Sequence, residues 1–132
     1  MYRNFLILNY KLCYDIIFSV IKLTKIYFVR HCEALGNVSR IFQGVTDLDI
    51  SELGAKQLKH LEKRFESIQL DKVYSSPLTR AYKTALAVRG KHPIEIEKHK
   101  GLIELNGGIL EGKPFAESFE KMPELADAWD NH

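Results

Sequence analysis

Short apolar runs and helix-period stripes follow one another along this chain. Residues 24–29 hold Ile26, Tyr27, Phe28 and Val29 in a row, β-branched and aromatic, and predict a buried first strand. Residues 30–50 carry Gly36, Asn37, Gly44, Asp47 and Asp49 and predict an irregular loop. Ser51 can cap a helix through its hydroxyl. Leu58, Leu61 and Phe65 then lie at i, i+3 and i+7, and carry that helix to about Phe65. Residues 71–75 predict a second strand.

Pro77 suits the first turn of a following helix, where its missing N–H costs nothing. Leu78, Ala81, Ala85 and Val88 line one side of that helix, and Gly90 supplies its stop. Residues 94–97 alternate apolar and polar, as a half-buried strand does. Gly107-Gly108 reads as a turn and residues 117–129 as a last helix, with Trp129 as a packing residue. Strand, helix, strand, helix, strand in this order predicts an α/β fold, a parallel sheet flanked by helices. The chain has no internal repeat, low-complexity tract or interdomain linker.

Composition changes this picture little. At 132 residues, 45% hydrophobic and 27% charged, the chain is an ordinary globular one. A net charge of +2 without an aromatic-studded basic patch argues against nucleic acid. Lys56-Gln57-Leu58-Lys59 and Lys98-His99-Lys100 read as solvated faces, with attraction of an anionic substrate as the sharper alternative. Cys13 and Cys32 form no metal-ligand or disulfide pattern, so neither a structural zinc nor a disulfide scaffold is expected, and a reducing cytoplasm fits. The five histidines show no i, i+4 ligand spacing. His60, His92 and His99, on or beside Lys-rich stretches, read as surface residues.

Residues 1–23 contain no Ala, Gly or Pro. They lack a small-residue cleavage site for a secretory signal. Asn9, Lys11, Asp15, Ser19 and Lys22 interrupt the run, whereas a membrane span needs about 20 mostly apolar residues. An apolar N-terminal extension remains, either a short helix packed on the domain, a partly disordered tail, or translated upstream sequence of an AT-rich gene.

The chemistry concentrates where the first strand ends. Phosphomonoester hydrolysis without a metal needs a nucleophile that splits the reaction into two steps, fixed cations for the phosphoryl oxygens, and an acid for the leaving alkoxide. His31 suits the first role, since a neutral imidazole attacks phosphorus and later departs. Arg30 and Arg80 suit the second, because guanidinium forks grip phosphate bidentately and keep their charge. Glu104 suits the third, since a nearby phosphate dianion raises a carboxyl pKa. Glu33, Asp47 and Glu52 read as solvent-facing or capping acids.

Three segments hold these residues: Val29-Arg30-His31-Cys32-Glu33-Ala34-Leu35-Gly36-Asn37, Ser75-Ser76-Pro77-Leu78-Thr79-Arg80-Ala81, and Leu102-Ile103-Glu104 through Glu111-Gly112. In this order and spacing they resemble the histidine phosphatase superfamily, which includes the cofactor-dependent phosphoglycerate mutases. The resemblance covers residues 24–132 and implies a three-layer α/β/α sheet of the mutase-like type. It implies His31 as the phosphorylated residue, Glu104 as proton donor, and Arg30, Asn37, Gln43 and Arg80 as phosphate ligands. Residues 47–57 resemble the family element Asp-x-x-Leu-Thr-x-x-Gly-x-x-Gln, with Ile50 and Ser51 as variants. No cofactor and no metal are implied; the partner is a small phosphorylated substrate, with no nucleic acid and no membrane expected.

Three positions depart from the family pattern. Cys32 stands where Gly is common after the catalytic His, Leu110 stands where an aromatic often precedes Glu-Gly, and nothing after Gly112 matches the family's second His. The chain therefore reads as the N-terminal portion of such a domain, incomplete at the C-terminus, with little or no turnover and poor solubility expected. Phosphohydrolase, mutase and non-catalytic phosphate-binding remnant all stay open. Two rival chemistries fit less well. A cysteine-dependent phosphatase needs Arg where Val38 stands, and Asp47-Leu48-Asp49 imitates a haloacid dehalogenase start without the buried strand before it.

Overall fold

The computed structural model describes residues 24–124. Its elements run α1 (Leu35–Val38), α2 (Glu52–Phe65), β1 (Val73–Ser75), α3 (Thr79–Arg89), β2 (Ile96–Lys98), two 3₁₀ turns (Lys100–Leu102 and Gly108–Leu110) and α4 (Phe115–Lys121). β1 and β2 pair in parallel, Val73 opposite Ile96 and Ser75 opposite Lys98. Parallel neighbours need a crossover, and α3 provides it.

The Ser51 hydroxyl accepts the Gly54 N–H at 2.9 Å, so α2 starts where its cap predicts. The stripe of that helix points inward: Phe65 is buried with Val73, Ala85 and Val88, and Leu61, Ile68, Leu70, Ile94 and Ile96 pack around them. α3 ends at Gly90, whose φ of 48° disfavours any side chain and whose N–H bonds the Leu86 carbonyl. A second apolar cluster forms where Phe42 meets Phe115 at 4.0 Å between ring centroids, with Phe119 edge-on at 6.3 Å. Backbone bonds from Phe42 N to Lys113 O and from Gly112 N to Phe42 O tie the same segments together.

Four expectations need correction. Residues 24–29 form no strand: Ile26 is 67% and Phe28 93% exposed, and among the described residues no backbone bond pairs this run with a neighbour. Apolar periodicity sets a strand's faces, but a ladder exists only where a second backbone completes it; here Tyr27 docks edge-on to Phe65 at 5.5 Å. Pro77 lies outside α3, because Leu78 is its N-cap and Thr79 its first residue. The third strand falls at Ile96–Lys98 rather than 94–97. The last expected helix begins earlier, at Phe115, and is broken at Met122 (φ −139°, ψ 73°), which the following Pro123 forces out of the helical region; helix resumes at Pro123 and Glu124, the last described residues. Residues 1–23 and 125–132, with Trp129 and His132, lie outside the described residues.

Candidate active site

Between residues 30 and 50 the chain is irregular apart from α1, and long-range hydrogen bonds fix it. Glu33 is the anchor. Its N–H bonds the Gln57 side chain, its carbonyl accepts from Ser51 N, and its carboxylate accepts the Ser51 hydroxyl. Asp47 reaches α3, where its two carboxylate oxygens accept the Thr79 N–H at 2.7 Å and hydroxyl at 2.9 Å. Asp49 pairs with Lys83. Asp47 and Glu52 cap or face solvent as expected, Glu52 exposed in the first turn of α2, whereas Glu33 does neither: it is half-buried and its carboxylate holds the Ser51 hydroxyl. The Asp47–Asp49 pair is thereby taken up in structural contacts.

His31 is half-buried, and its Nδ1 lies 2.6 Å from the Cys32 carbonyl oxygen. A carbonyl only accepts, so Nδ1 carries the proton and Nε2 keeps the free lone pair. Burial lowers the imidazole pKa below its ordinary 6.5; the Cys32 hydrogen bond raises it, the Arg80 and Arg30 charges lower it, and the Glu104 charge raises it. Lowering prevails. Arg30 adjoins His31 in the chain, and the charges of Arg80 and Glu104 act on the ring from distant parts of the sequence. Next to it Cys32 is buried and free, its N–H donating to Thr84 Oγ1 at 3.0 Å. That hydroxyl in turn donates to the Arg80 carbonyl at 2.8 Å, so the peptide after His31 is moored one turn from Arg80.

Arg80 is only 2% exposed. Its Nη1 donates to Thr46 O at 2.9 Å, and its Nη2 to Gln43 O at 2.6 Å and Gly44 O at 2.9 Å. These bonds use three of the five guanidinium N–H groups and leave Nε and one Nη1 hydrogen outside them. Arg80 thus clamps the loop as well as contributing charge. Gln43, expected as a phosphate ligand, turns a buried carboxamide toward Gly36; among the described residues neither its oxygen nor its nitrogen has a hydrogen-bond partner. Buried amides are rarely left so. Asn37 is exposed, with Oδ1 accepting the Ala34 N–H at 2.9 Å. Glu104 is exposed, its carboxylate accepting the next N–H, that of Leu105, at 3.0 Å.

Sequence reasoning missed Glu111. Its Oε1 accepts the N–H groups of Gly44, Val45 and Gly107, and its Oε2 accepts the Thr46 N–H and hydroxyl. Burial works to raise its pKa, but bonds from the Thr46 hydroxyl and from the Gly107, Val45 and Thr46 N–H groups outweigh it, holding it at about 2. Gly44 is required here, because a Cβ would come 1.8 Å from the Leu105 carbonyl oxygen. The legible signal was its place in the Glu111-Gly112 pair that closes the third family-like segment, which carried no role for the carboxylate. His92 also departs from its surface reading: it is half-buried, with Nε2 3.1 Å from the Phe65 carbonyl.

Among the described residues no three His, Cys, Asp or Glu side chains gather as a metal-ligand set, and no helix is long and apolar enough to cross a membrane. A cavity of about 400 Å³ lies by the C-terminal ends of α2 and α3, lined by Lys59, Glu62, Lys63, Phe65, Lys91 and His92, among others. It contains none of the site residues and mixes both charges.

The family model of the histidine phosphatase superfamily (branch 1) matches residues 26–132, and the chain belongs to that family. Phosphoserine phosphatase 1 of Hydrogenobacter thermophilus is 38% identical over 107 residues, 81% of this chain and 51% of that protein. The 2,3-bisphosphoglycerate-dependent phosphoglycerate mutase of Porphyromonas gingivalis is 41% identical over 103 residues, 74% of this chain and 41% of that one. Among solved structures, Bacillus stearothermophilus YhfR superposes with a TM-score of 0.72 at 36% identity, covering 76% of this chain and 50% of its own. The mycobacterial glucosyl-3-phosphoglycerate phosphatase, in complex with VO3, gives 0.71 at 29%, with 76% and 50% covered. The fold is the mutase-like α/β type of these neighbours, and the chain spans about half the length of the curated relatives it matches.

Proposed function

We propose that this chain carries the phosphoryl-accepting half of a phosphomonoester hydrolase that works through phospho-His31. The observation that supports this most is the His31 ring itself: Nδ1 is committed to the Cys32 carbonyl, and Arg30, Arg80 and Glu104 all bear on its proton. Nε2 attacks phosphorus, and the P–O bond to the leaving group breaks. Arg30 and the unspent N–H groups of Arg80 hold the phosphoryl oxygens, with the Gln43 carboxamide and Asn37 beside them as the resemblance implies. Glu104 gives its proton to the departing alkoxide. Water then takes the phosphoryl group from His31. The cations are supplied by arginine, so the reading calls for no metal or cofactor. A free thiol next to the nucleophile suits a reducing compartment such as the cytoplasm.

The substrate is a small phosphate monoester, the class to which the names of the phosphoserine phosphatase and phosphoglycerate mutase relatives point. Likeness to the mutase favours a second reading, in which phospho-His31 passes its group to another hydroxyl instead of water. Incubating the chain with an aryl phosphate and quenching in base tests the shared first step. An acid-labile, base-stable phosphoryl group should appear on the chain and be absent from His31→Ala. Equal labelling of the two, or aryl phosphate cleavage that survives the substitution, refutes the nucleophile assignment. Adding phosphoglycerate as acceptor then separates hydrolase from mutase.

A further inference from the structure

The five donors on Glu111 and the three carbonyls on Arg80 belong to one device. The N–H of Gly44 and the C=O of Gln43 are the two ends of a single peptide group, as are the N–H of Val45 and the C=O of Gly44. In a trans peptide these ends point to opposite sides, and no cis bond occurs among the described residues. Glu111 Oε1 takes both N–H ends, at 2.9 and 3.1 Å, while Arg80 Nη2 takes both C=O ends, at 2.6 and 2.9 Å. Two peptide dipoles therefore stand between a carboxylate and a guanidinium, each aligned with the field of both. Such chains polarise one another and strengthen.

We propose that Glu111 is a positioning residue of the phosphate site: acting through the 43–44 and 44–45 peptide groups, it fixes where the Arg80 guanidinium stands relative to His31. The same Oε1 accepts the Gly107 N–H at 2.8 Å, so the segment leaving Glu104 is fastened to the loop that holds Arg80. One carboxylate thus sets both the cation and the approach of the acid. Glu111 itself touches no reacting atom. The inference rests on the reading of Arg80 as a phosphate ligand.

The full 132-residue chain, wild type and Glu111→Gln, is titrated by NMR at His31 and His92, and inorganic phosphate binding is measured for both. Glutamine keeps an acceptor at one position but offers N–H where Thr46 also donates, and it removes the charge. The His31 midpoint should rise toward 6.5 as Arg80 loosens, while His92, bonded to Phe65, titrates unchanged. Phosphate affinity should fall about tenfold or more, the scale of one charged hydrogen bond. Wild-type His31 titration and phosphate affinity in a folded Glu111→Gln chain would overturn the inference, as would His31 and His92 shifting together. If Glu111→Gln does not fold, Thr46→Val removes one donor to the carboxylate; a smaller His31 shift in the same direction supports the relay, and none overturns it. A wild-type chain that neither binds phosphate nor labels at His31 sinks the proposed function, while the His31 shift still reports on the relay.

Discussion

Asp47 closes the N-terminus of the helix that carries Arg80, its two carboxylate oxygens taking the backbone N–H and the hydroxyl of Thr79 from 32 residues away. The first N–H groups of a helix have no partner within it. A carboxylate there satisfies one and also meets the positive end of the helix dipole. Asp47→Ala should therefore cost about 0.5–2 kcal/mol of stability, the range for lost helix caps. Denaturant unfolding checks it, and a change within a few tenths of a kcal/mol would show that solvent serves Thr79 equally well.

Acid sensitivity follows from Glu111. Its folded pKa of about 2 lies below the ordinary 4.5. A depressed carboxylate stabilises the fold fully above about pH 4.5 and gives that stability up as pH falls toward 2. Wild-type stability should drop across this window, and Glu111→Gln, less stable at neutral pH, should show a flatter dependence there. Parallel pH curves for the two chains would contradict the assignment.

Much of this was legible because it is local. Ser51 before a 3.6-period stripe marks α2, and Gly90 after one marks the end of α3. Arg30, His31, Arg80 and Glu104 stand out in the sequence by residue type, and the charges of the other three act in opposing directions on the His31 ring. What the residues could not reveal depends on distant backbones. The apolar run 24–29 reads as a strand, yet no described neighbour pairs with it. Arg80 reads as a free fork, but loop carbonyls 34 to 37 residues away occupy three of its donors. Glu111 stood out in the sequence only as part of a Glu-Gly pair, and its carboxylate gains a role when the loop folds over it. Pro123 is different, since it stood in plain view inside a predicted helix and should have marked the break at Met122.

In the proposed mechanism, Glu104→Gln removes the proton given to the leaving group. Single-turnover phosphorylation of His31 by an alkyl phosphate should slow by about 10²–10⁴-fold. An aryl phosphate, whose leaving group departs unaided, should lose much less. Rapid-quench measurement of both decides it; equal losses would remove Glu104 from the acid role.

Cys32 contributes a backbone N–H to Thr84 and a backbone carbonyl to His31, neither of which needs its thiol. Cys32→Ala should therefore leave His31 phosphorylation close to wild type. Rapid-quench labelling of both chains tests it. A loss as deep as that of His31→Ala would move the nucleophile to sulfur.

The most direct test of the account is which atom of His31 becomes phosphorylated. With Nδ1–H held by the Cys32 carbonyl at 2.6 Å, only Nε2 has a free lone pair. NMR of the base-quenched chain distinguishes the two phosphohistidine isomers. The account predicts the Nε2 isomer at His31, and phosphorylation at Nδ1 or at any other residue would contradict it.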